Sequence, residues 1–287
     1  MSGVEGRVVV VTGAGGGLGR DYALLLAENG AKVVVNDLGG ARDGSGAGSE
    51  MADTVVEEIR AAGGEAVANY DSVATPEGGQ AIVETALKEF GAIHGVVNNA
   101  GILRDTSFAK MSQAEWDLVL QVHLHGGFNV TKAAWPHFRE QEFGRIVMAA
   151  STSGLFGNFG QANYGAAKNG LVGLVNTLAL EGARSNILAN AIAPMAATRM
   201  TVDIAPQEML DKLPPGFVSP VVGHLMSEEL SDSGQVFVVG GGQVYRVALF
   251  QNSGVFFEKP PTMEQVADSW DAITDMEAAV LGKNPVG

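Results

Sequence analysis

The run RVVVV at residues 7–11 passes directly into TGAGGGLG at 12–19, and a helical pattern follows at 20–28. A short unbroken apolar run reads as a strand buried on both faces, because its alternate side chains meet two different apolar layers. Strand, glycine turn and helix in that order point to a parallel α/β sheet with helices on both faces. The glycines at 13, 15, 16, 17 and 19 let a pyrophosphate approach the backbone and lie on the helix N-terminus, where unpaired N–H groups point outward. Gly13, Gly17, Leu18 and Gly19 are the candidate contacts. A glycine-rich turn alone is a weak signal, and here the flanking strand and helix strengthen it.

The same alternation continues down the chain. Apolar runs at 32–36, 65–69, 95–97, 145–150, 187–193 and 235–239 complete a Rossmann-type, doubly wound parallel sheet of seven strands. Helical patterns at 50–62, 77–90, 112–140 and 164–182 supply crossovers. In the pattern at 112–140, Trp116, Leu120, Phe128 and Trp135 are the expected core contacts. One domain is expected over 1–242, with a lid over a substrate at about 194–217, where proline and methionine concentrate. An extension follows at 243–287, packed on the domain or on a neighbouring subunit and ending in a helix at about 263–281.

Composition narrows the chemistry. With no cysteine, disulfides, thiolate catalysis and cysteine-ligated metals drop out. A net charge of −14 argues against nucleic acid, which needs a basic patch to neutralise phosphates. The N-terminus lacks a basic leader, and its apolar run is too short for a signal peptide or membrane span, so a cytoplasmic protein is expected. His123 and His125 lie two apart on a helical pattern and face different ways, so no metal site is expected.

Polar residues recur where strands end. Asp37, eighteen residues after Gly19, can accept hydrogen bonds from both ribose hydroxyls of an adenosine and repel a 2′-phosphate, which favours NAD over NADP. An acidic loop residue is the plainer reading, and Arg42 nearby weakens the preference. The glycine-rich segment 38–49 either folds over the adenosine end or is a mobile loop. Asp71 and Ser72 fall where an open parallel sheet binds adenine, or else cap a turn. In NNAG at 98–101, the two asparagines, Asn98 and Asn99, can brace neighbouring strands and line the nicotinamide side, and Asn98 and Ala100 are the candidate cofactor contacts.

A last cluster carries acid–base chemistry. Tyr164 and Lys168 lie four apart on a helical pattern and share a face. A lysine so close favours the phenolate and moves a pKa of about 10 toward neutrality, which suits a general acid or base. Taken alone, a surface pair is the simpler reading.

Taken together, Gly13, Gly17 and Gly19, NNAG at 98–101, Ser151 and Y-x-x-x-K at 164–168 resemble the short-chain dehydrogenase/reductase family. The strings VVVNDLGG, VVEEIRAAGGEAVANYDSV, VVNNAGILRD and GNFGQANYGAAK are similar to the (3R)-hydroxyacyl-CoA dehydrogenase parts of the peroxisomal type 2 multifunctional enzymes. The resemblance implies reversible hydride transfer between a nicotinamide and a secondary alcohol or ketone. Tyr164 would exchange the hydroxyl proton, Ser151 would hold the substrate oxygen and Lys168 would tune the phenol and hold the nicotinamide ribose. His123 stands where the wider family has a catalytic asparagine and would hold a relay water. Thr198 would contact the carboxamide, although Pro194 is followed by Met195 and not by the family's usual glycine.

A (3R)-hydroxyacyl-CoA, with a steroid-derived acyl group as one variant, is the substrate the resemblance implies. Leu155, Phe156 and Phe159 are candidates for its wall, and Arg104, Lys110 and Arg199 for its phosphates. A hydroxysteroid dehydrogenase on free steroid, a 3-oxoacyl-carrier-protein reductase and a non-catalytic NAD(H) sensor are the alternatives. The family is commonly a homodimer or homotetramer.

Overall fold

A computed structural model of the chain describes residues 3–197, 208 and 211–284. Strand and helix alternate from the start: β1 (Val8–Thr12), α1 (Gly17–Glu28), β2 (Lys32–Asn36), α2 (Glu50–Ala61), β3 (Glu65–Asn69), α3 (Pro76–Phe90) and β4 (Gly95–Asn98). There follow α4 (Gln113–Leu120), α5 (Gly126–Glu140), β5 (Gly144–Ala149), α6 (Thr152–Phe156), α7 (Ala162–Gly182), β6 (Ile187–Pro194), α8 (Ser219–Leu225), β7 (Val236–Gly240) and β8 (Gln243–Val247).

The sheet order is β3-β2-β1-β4-β5-β6-β7-β8, and the pairings from β3 through β7 are all parallel. The seven expected strands are present, and β8 corrects the count to eight. Its sequence QVYRV alternates and its residues are exposed or half-buried, so it lacks the buried run that marks the others. The two-sided burial of β1 is direct. Val9 and Val11 join a layer with Tyr22, Leu26, Ile59 and Leu225, while Val8 and Val10 join the opposite layer with Ile82, Phe138 and Leu171. Chain direction across the sheet reverses between β1 and β4, and an open parallel sheet presents its crevice at the carboxyl ends of such strands.

The expected single helix at 112–140 is interrupted. A π turn, Gln121–His125, separates α4 from α5 and shifts the phase of everything after it. Phe128 consequently points outward, 51% exposed, and Val130, Ala134 and Phe138 take the core positions. His123 is buried while His125 is exposed, as their spacing requires.

Much of the expected lid, residues 198–207, 209 and 210, lies outside the described residues, and Thr198 and Arg199 with it. Of the remainder, Met195 N–H bonds Val239 O and Ala197 N–H bonds Leu213 O. Among the described residues no helix is long and apolar enough to cross a membrane.

The chain divides into two compact units between Tyr245 and Arg246. The C-terminal unit holds an antiparallel pair, β9 (Phe250–Gln251) with β10 (Val280–Leu281), and two short helices, α9 (Met263–Asp268) and α10 (Trp270–Thr274). The helix expected at 263–281 is therefore corrected. It pauses at Ser269 and stops at Asp275, whose backbone is extended. Asn252 Nδ2 binds the carbonyls of Ile273 and Asp275, and the Asp275 carboxylate accepts from Glu277 N–H, which turns the chain toward β10.

At the end of β1, the buried Thr12 hydroxyl accepts from the N–H groups of Asn99 and Ala100, each at 3.1 Å. It thereby ties the end of β1 to the turn after β4. Thr12→Val keeps the shape and strands both donors, at roughly 1–3 kcal/mol each. Urea unfolding is expected to give a stability lower by about 2–4 kcal/mol, and an unchanged unfolding midpoint would contradict this account.

Candidate active site

The carboxyl ends of β1, β2, β3 and β4 border one cleft. Its lining includes Gly13, Gly16, Gly17, Leu18 and Gly19 from the first turn, Asp37 after β2, Asp71 and Ser72 after β3, and Asn99, Ala100 and Gly101 after β4. Gly13 and Gly17 have positive φ, at 64° and 52°, which glycine adopts without strain. Gly19 is needed for a different reason. A Cβ there would fall 2.2 Å from Gly13 O and 2.6 Å from the Asn99 amide nitrogen, so α1 could not pack so closely against the turn. The α1 N-terminus carries no side-chain cap, which leaves its first N–H groups available to an anion.

Asp37 is 7% exposed, and both of its carboxylate oxygens are oriented by the backbone. Oδ2 accepts from Gly15 N–H at 2.8 Å and Oδ1 from Gly39 N–H at 2.7 Å. A carboxylate is thus held in the lining of the cleft. A Cβ on Gly15 would meet Oδ2 at 2.8 Å, which accounts for a glycine outside the usual spacing. Asp71 is held by Asn69 Nδ2 at 2.8 Å, and Ser72 Oγ accepts from Ala74 N–H, so Ser72 lines the cleft and caps a turn at once.

Asn98 departs from its expected place. It is buried and donates to Thr131 on α5 at 2.9 Å, turned away from the cleft. Its neighbour Asn99, the second asparagine of the pair, lines the cleft while its amide donates to the carbonyls of Thr12 and Gly13. The period of two along a strand carries the signal, since Val96 is buried in the α3/α5 layer and Asn98 continues that face.

Ser151, Tyr164, Lys168 and His123 come together beside the cleft. Ser151 follows β5 and caps α6, accepting from Ser153 N–H at 3.1 Å, and its hydroxyl lies near enough to the Tyr164 phenol to favour the ionised form. Lys168 is 4% exposed, donates to Ala149 O and places Nζ 5.5 Å from the centre of the Tyr164 ring. The His123 ring meets the Tyr164 ring edge-on at 5.2 Å between centres. His123 Nε2 lies 2.8 Å from Ile102 O and 3.1 Å from Ile102 N, and Nδ1 is buried without a partner among the described residues. Gly101 and Ile102 line the cleft on one side and border His123 on the other, so the cleft and the tyrosine cluster adjoin.

The electrostatics correct one expectation. Burial holds the Tyr164 phenol above its ordinary 10, against the Ser151 hydroxyl and aided by the Asp105 carboxylate. Burial likewise pushes Lys168 from 10.5 down to about 7. A shared low-dielectric setting disfavours both charged forms, and this outweighs the lowering of the phenol expected from the lysine. His123 is pushed well below 6.5 by burial and then by the Lys168 charge, so it is neutral.

The three expected wall residues separate. Leu155 packs on the core layer of α3, α5 and α7, whereas Phe156 and Phe159 are 67% and 91% exposed. Of the expected cations, Arg104 Nε donates to Asp43 O at 2.7 Å and Lys110 is exposed.

Residues 7–209 match the family described as short chain dehydrogenase. The chain is 68% identical over 281 residues to a Mycobacterium tuberculosis protein named as a short-chain type dehydrogenase/reductase, covering 98% of each. It is 40% identical to a hydroxyacyl-CoA dehydrogenase of the same organism, covering 98% of this chain and 91% of that one. The full-length peroxisomal multifunctional enzyme type 2 of Drosophila melanogaster superposes with a TM-score of 0.82 at 44% identity, over 98% of this chain. This chain spans 48% of that longer protein.

The Lys168 assignment is open to a direct check. With its native pKa near 7 and an unfolded value near 10.5, the folded chain holds fewer protons than the unfolded chain between those values. Its contribution to folding is least favourable below pH 7 and improves as pH rises toward 10.5. The stability difference between wild type and Lys168→Met should therefore shift in favour of wild type from pH 7 to 9. A difference that stays flat across that window contradicts the lowered pKa.

Proposed function

Because the chain belongs to the short-chain dehydrogenase family, we propose that it catalyses the reversible NAD-dependent oxidation of a secondary alcohol, a (3R)-hydroxyacyl-CoA, to the corresponding ketone. The observation that carries this reading is the convergence of the Ser151 hydroxyl and Lys168 on Tyr164, beside a cleft lined by Asp37. The residues fit a dinucleotide. The uncapped α1 N-terminus and the turn at Gly13 to Gly19 suit its pyrophosphate, and Asp71 and Ser72 suit its adenine. Asp37, already oriented by two N–H groups, suits the adenosine ribose and disfavours a 2′-phosphate. When bound, the nicotinamide supplies the hydride acceptor.

The chain's own residues manage the proton. The Ser151 hydroxyl acts on the Tyr164 phenol, so a substrate oxygen can be held between their hydroxyls. Tyr164 accepts the alcohol proton in oxidation and returns it in reduction. A phenol raised by burial is a strong base that is rarely ionised, and the Ser151 hydroxyl works against that rise. The acyl-CoA assignment is supported by the 40% identical hydroxyacyl-CoA dehydrogenase and by the fly enzyme. Subunit pairing, as a dimer or tetramer, belongs to the same proposal.

With the purified chain, NAD and a panel of (3R)-hydroxyacyl-CoAs, hydroxysteroids and simple alcohols, turnover is expected to be highest on the acyl-CoAs. Preference for free steroid overturns the substrate assignment. Tyr164→Phe should lower kcat by about 10²–10⁴-fold while NADH binding, read by fluorescence, is retained. Near-normal turnover in that variant rejects the acid–base role. Asp37→Asn keeps an acceptor but removes the charge, and should erode the NAD preference roughly 10-fold or more. A wild type that already prefers NADP contradicts the cofactor assignment.

A further inference from the structure

We infer that Asp105 is a positioning residue for Tyr164: through Gln161 it anchors the first turn of α7. The inference rests on the acid–base role proposed for Tyr164.

The anchoring is built from several contacts. Gln161 is the residue at which α7 begins and is 7% exposed, yet its side chain makes no cap to its own helix. Its Nε2 donates to Asp105 Oδ2 at 2.7 Å, and its Oε1 accepts from Asn158 Nδ2 at 3.0 Å. Two residues on, the fully buried Asn163 donates to Arg104 O and Glu115 O, and its Oδ1 accepts from Tyr164 N–H at 2.7 Å. Thr106 N–H bonds Gly160 O. Residues 104–106 therefore grip the chain on both sides of the α7 start, and Tyr164 lies in that first turn. An acidic side chain there also complements the positive end of a 21-residue helix.

The groups facing Tyr164 from each neighbouring element are few. Lys168 comes from α7 itself, His123 from the π turn, Ser151 from the end of β5 and Asp105 from the segment after β4. Of these, Asp105 carries the negative charge; it is exposed, and after burial and Ser151 it is the third and smallest influence on the phenol, raising it further. Arg104, its neighbour in sequence, directs Nε to Asp43 O.

Charge and anchoring can be separated by two substitutions. Asp105→Asn keeps an oxygen for Gln161 and removes the charge, so the phenol should ionise more readily. Asp105→Ala removes both. The direct readout is titration of the Tyr164 ring by NMR in the full chain carrying 13Cζ-tyrosine, where the four tyrosines are resolved and Tyr164→Phe identifies the signal. In Asp105→Asn the Tyr164 midpoint, and with it the rising limb of kcat for oxidation, should move down by roughly 0.2–0.7 pH unit at unchanged maximal kcat. Asp105→Ala and Gln161→Ala should lower maximal kcat roughly 10-fold or more, with a smaller change in KM. A Tyr164 midpoint unmoved in Asp105→Asn contradicts that influence of its charge on the phenol, and full kcat in both alanine variants overturns the anchoring. The ring titration needs no substrate, so a wild type inactive on hydroxyacyl-CoAs refutes the proposed function and leaves the Asp105 effect separately measurable.

Discussion

The packing of Gly19 against Gly13 is the constraint on which the site depends. With no side chain between them, α1 starts within contact distance of the turn after β1, and the Asn99 amide reaches the carbonyls of Thr12 and Gly13. The Thr12 hydroxyl closes the same junction from the other side through the N–H groups of Asn99 and Ala100. The ends of β1 and β4 are thereby held at a fixed separation at the point where strand order reverses, and the cleft is the space that results. Larger residues in the turn would fill it.

Around this junction the molecule places charge with unusual economy. Asp37 is kept in the cleft lining by two backbone donors that cost no side-chain entropy. Beside the cleft a tyrosine, a lysine and a histidine share a setting in which burial disfavours ionisation of all three. A group held away from its ordinary pKa by desolvation responds strongly to one added charge, because the medium screens it poorly. Binding of a charged or dipolar ligand nearby can therefore redistribute protons within the cluster without moving its backbone.

Much of the fold was legible because it rests on local rules. The valines of β1 form a continuous run since both sheet faces are covered, and each glycine turn or helix cap leaves its mark within a few residues. The pair Tyr164 and Lys168 was legible for the same reason, as helix period alone puts them on one face. Features that depend on phase or long-range packing were not. The π turn at 121–125 has no clear sequence signature, and it displaced Phe128 from the core; β8 lacks a buried face, and the C-terminal helix breaks where Asn252, distant in sequence, binds the carbonyls of Ile273 and Asp275.

What the sequence by itself determined was the alternation of strand and helix, the glycine turn, and which residue types could carry acid–base chemistry, since period and backbone sterics act over a few residues. Only the tertiary structure decided that Asn99 and not Asn98 faces the cleft, that the wall residues divide between core and surface, and that the tyrosine and lysine are shifted by burial. Solvent exclusion and the direction of a side chain come from elements that meet across dozens of residues. A pKa follows from those surroundings, which no local pattern encodes.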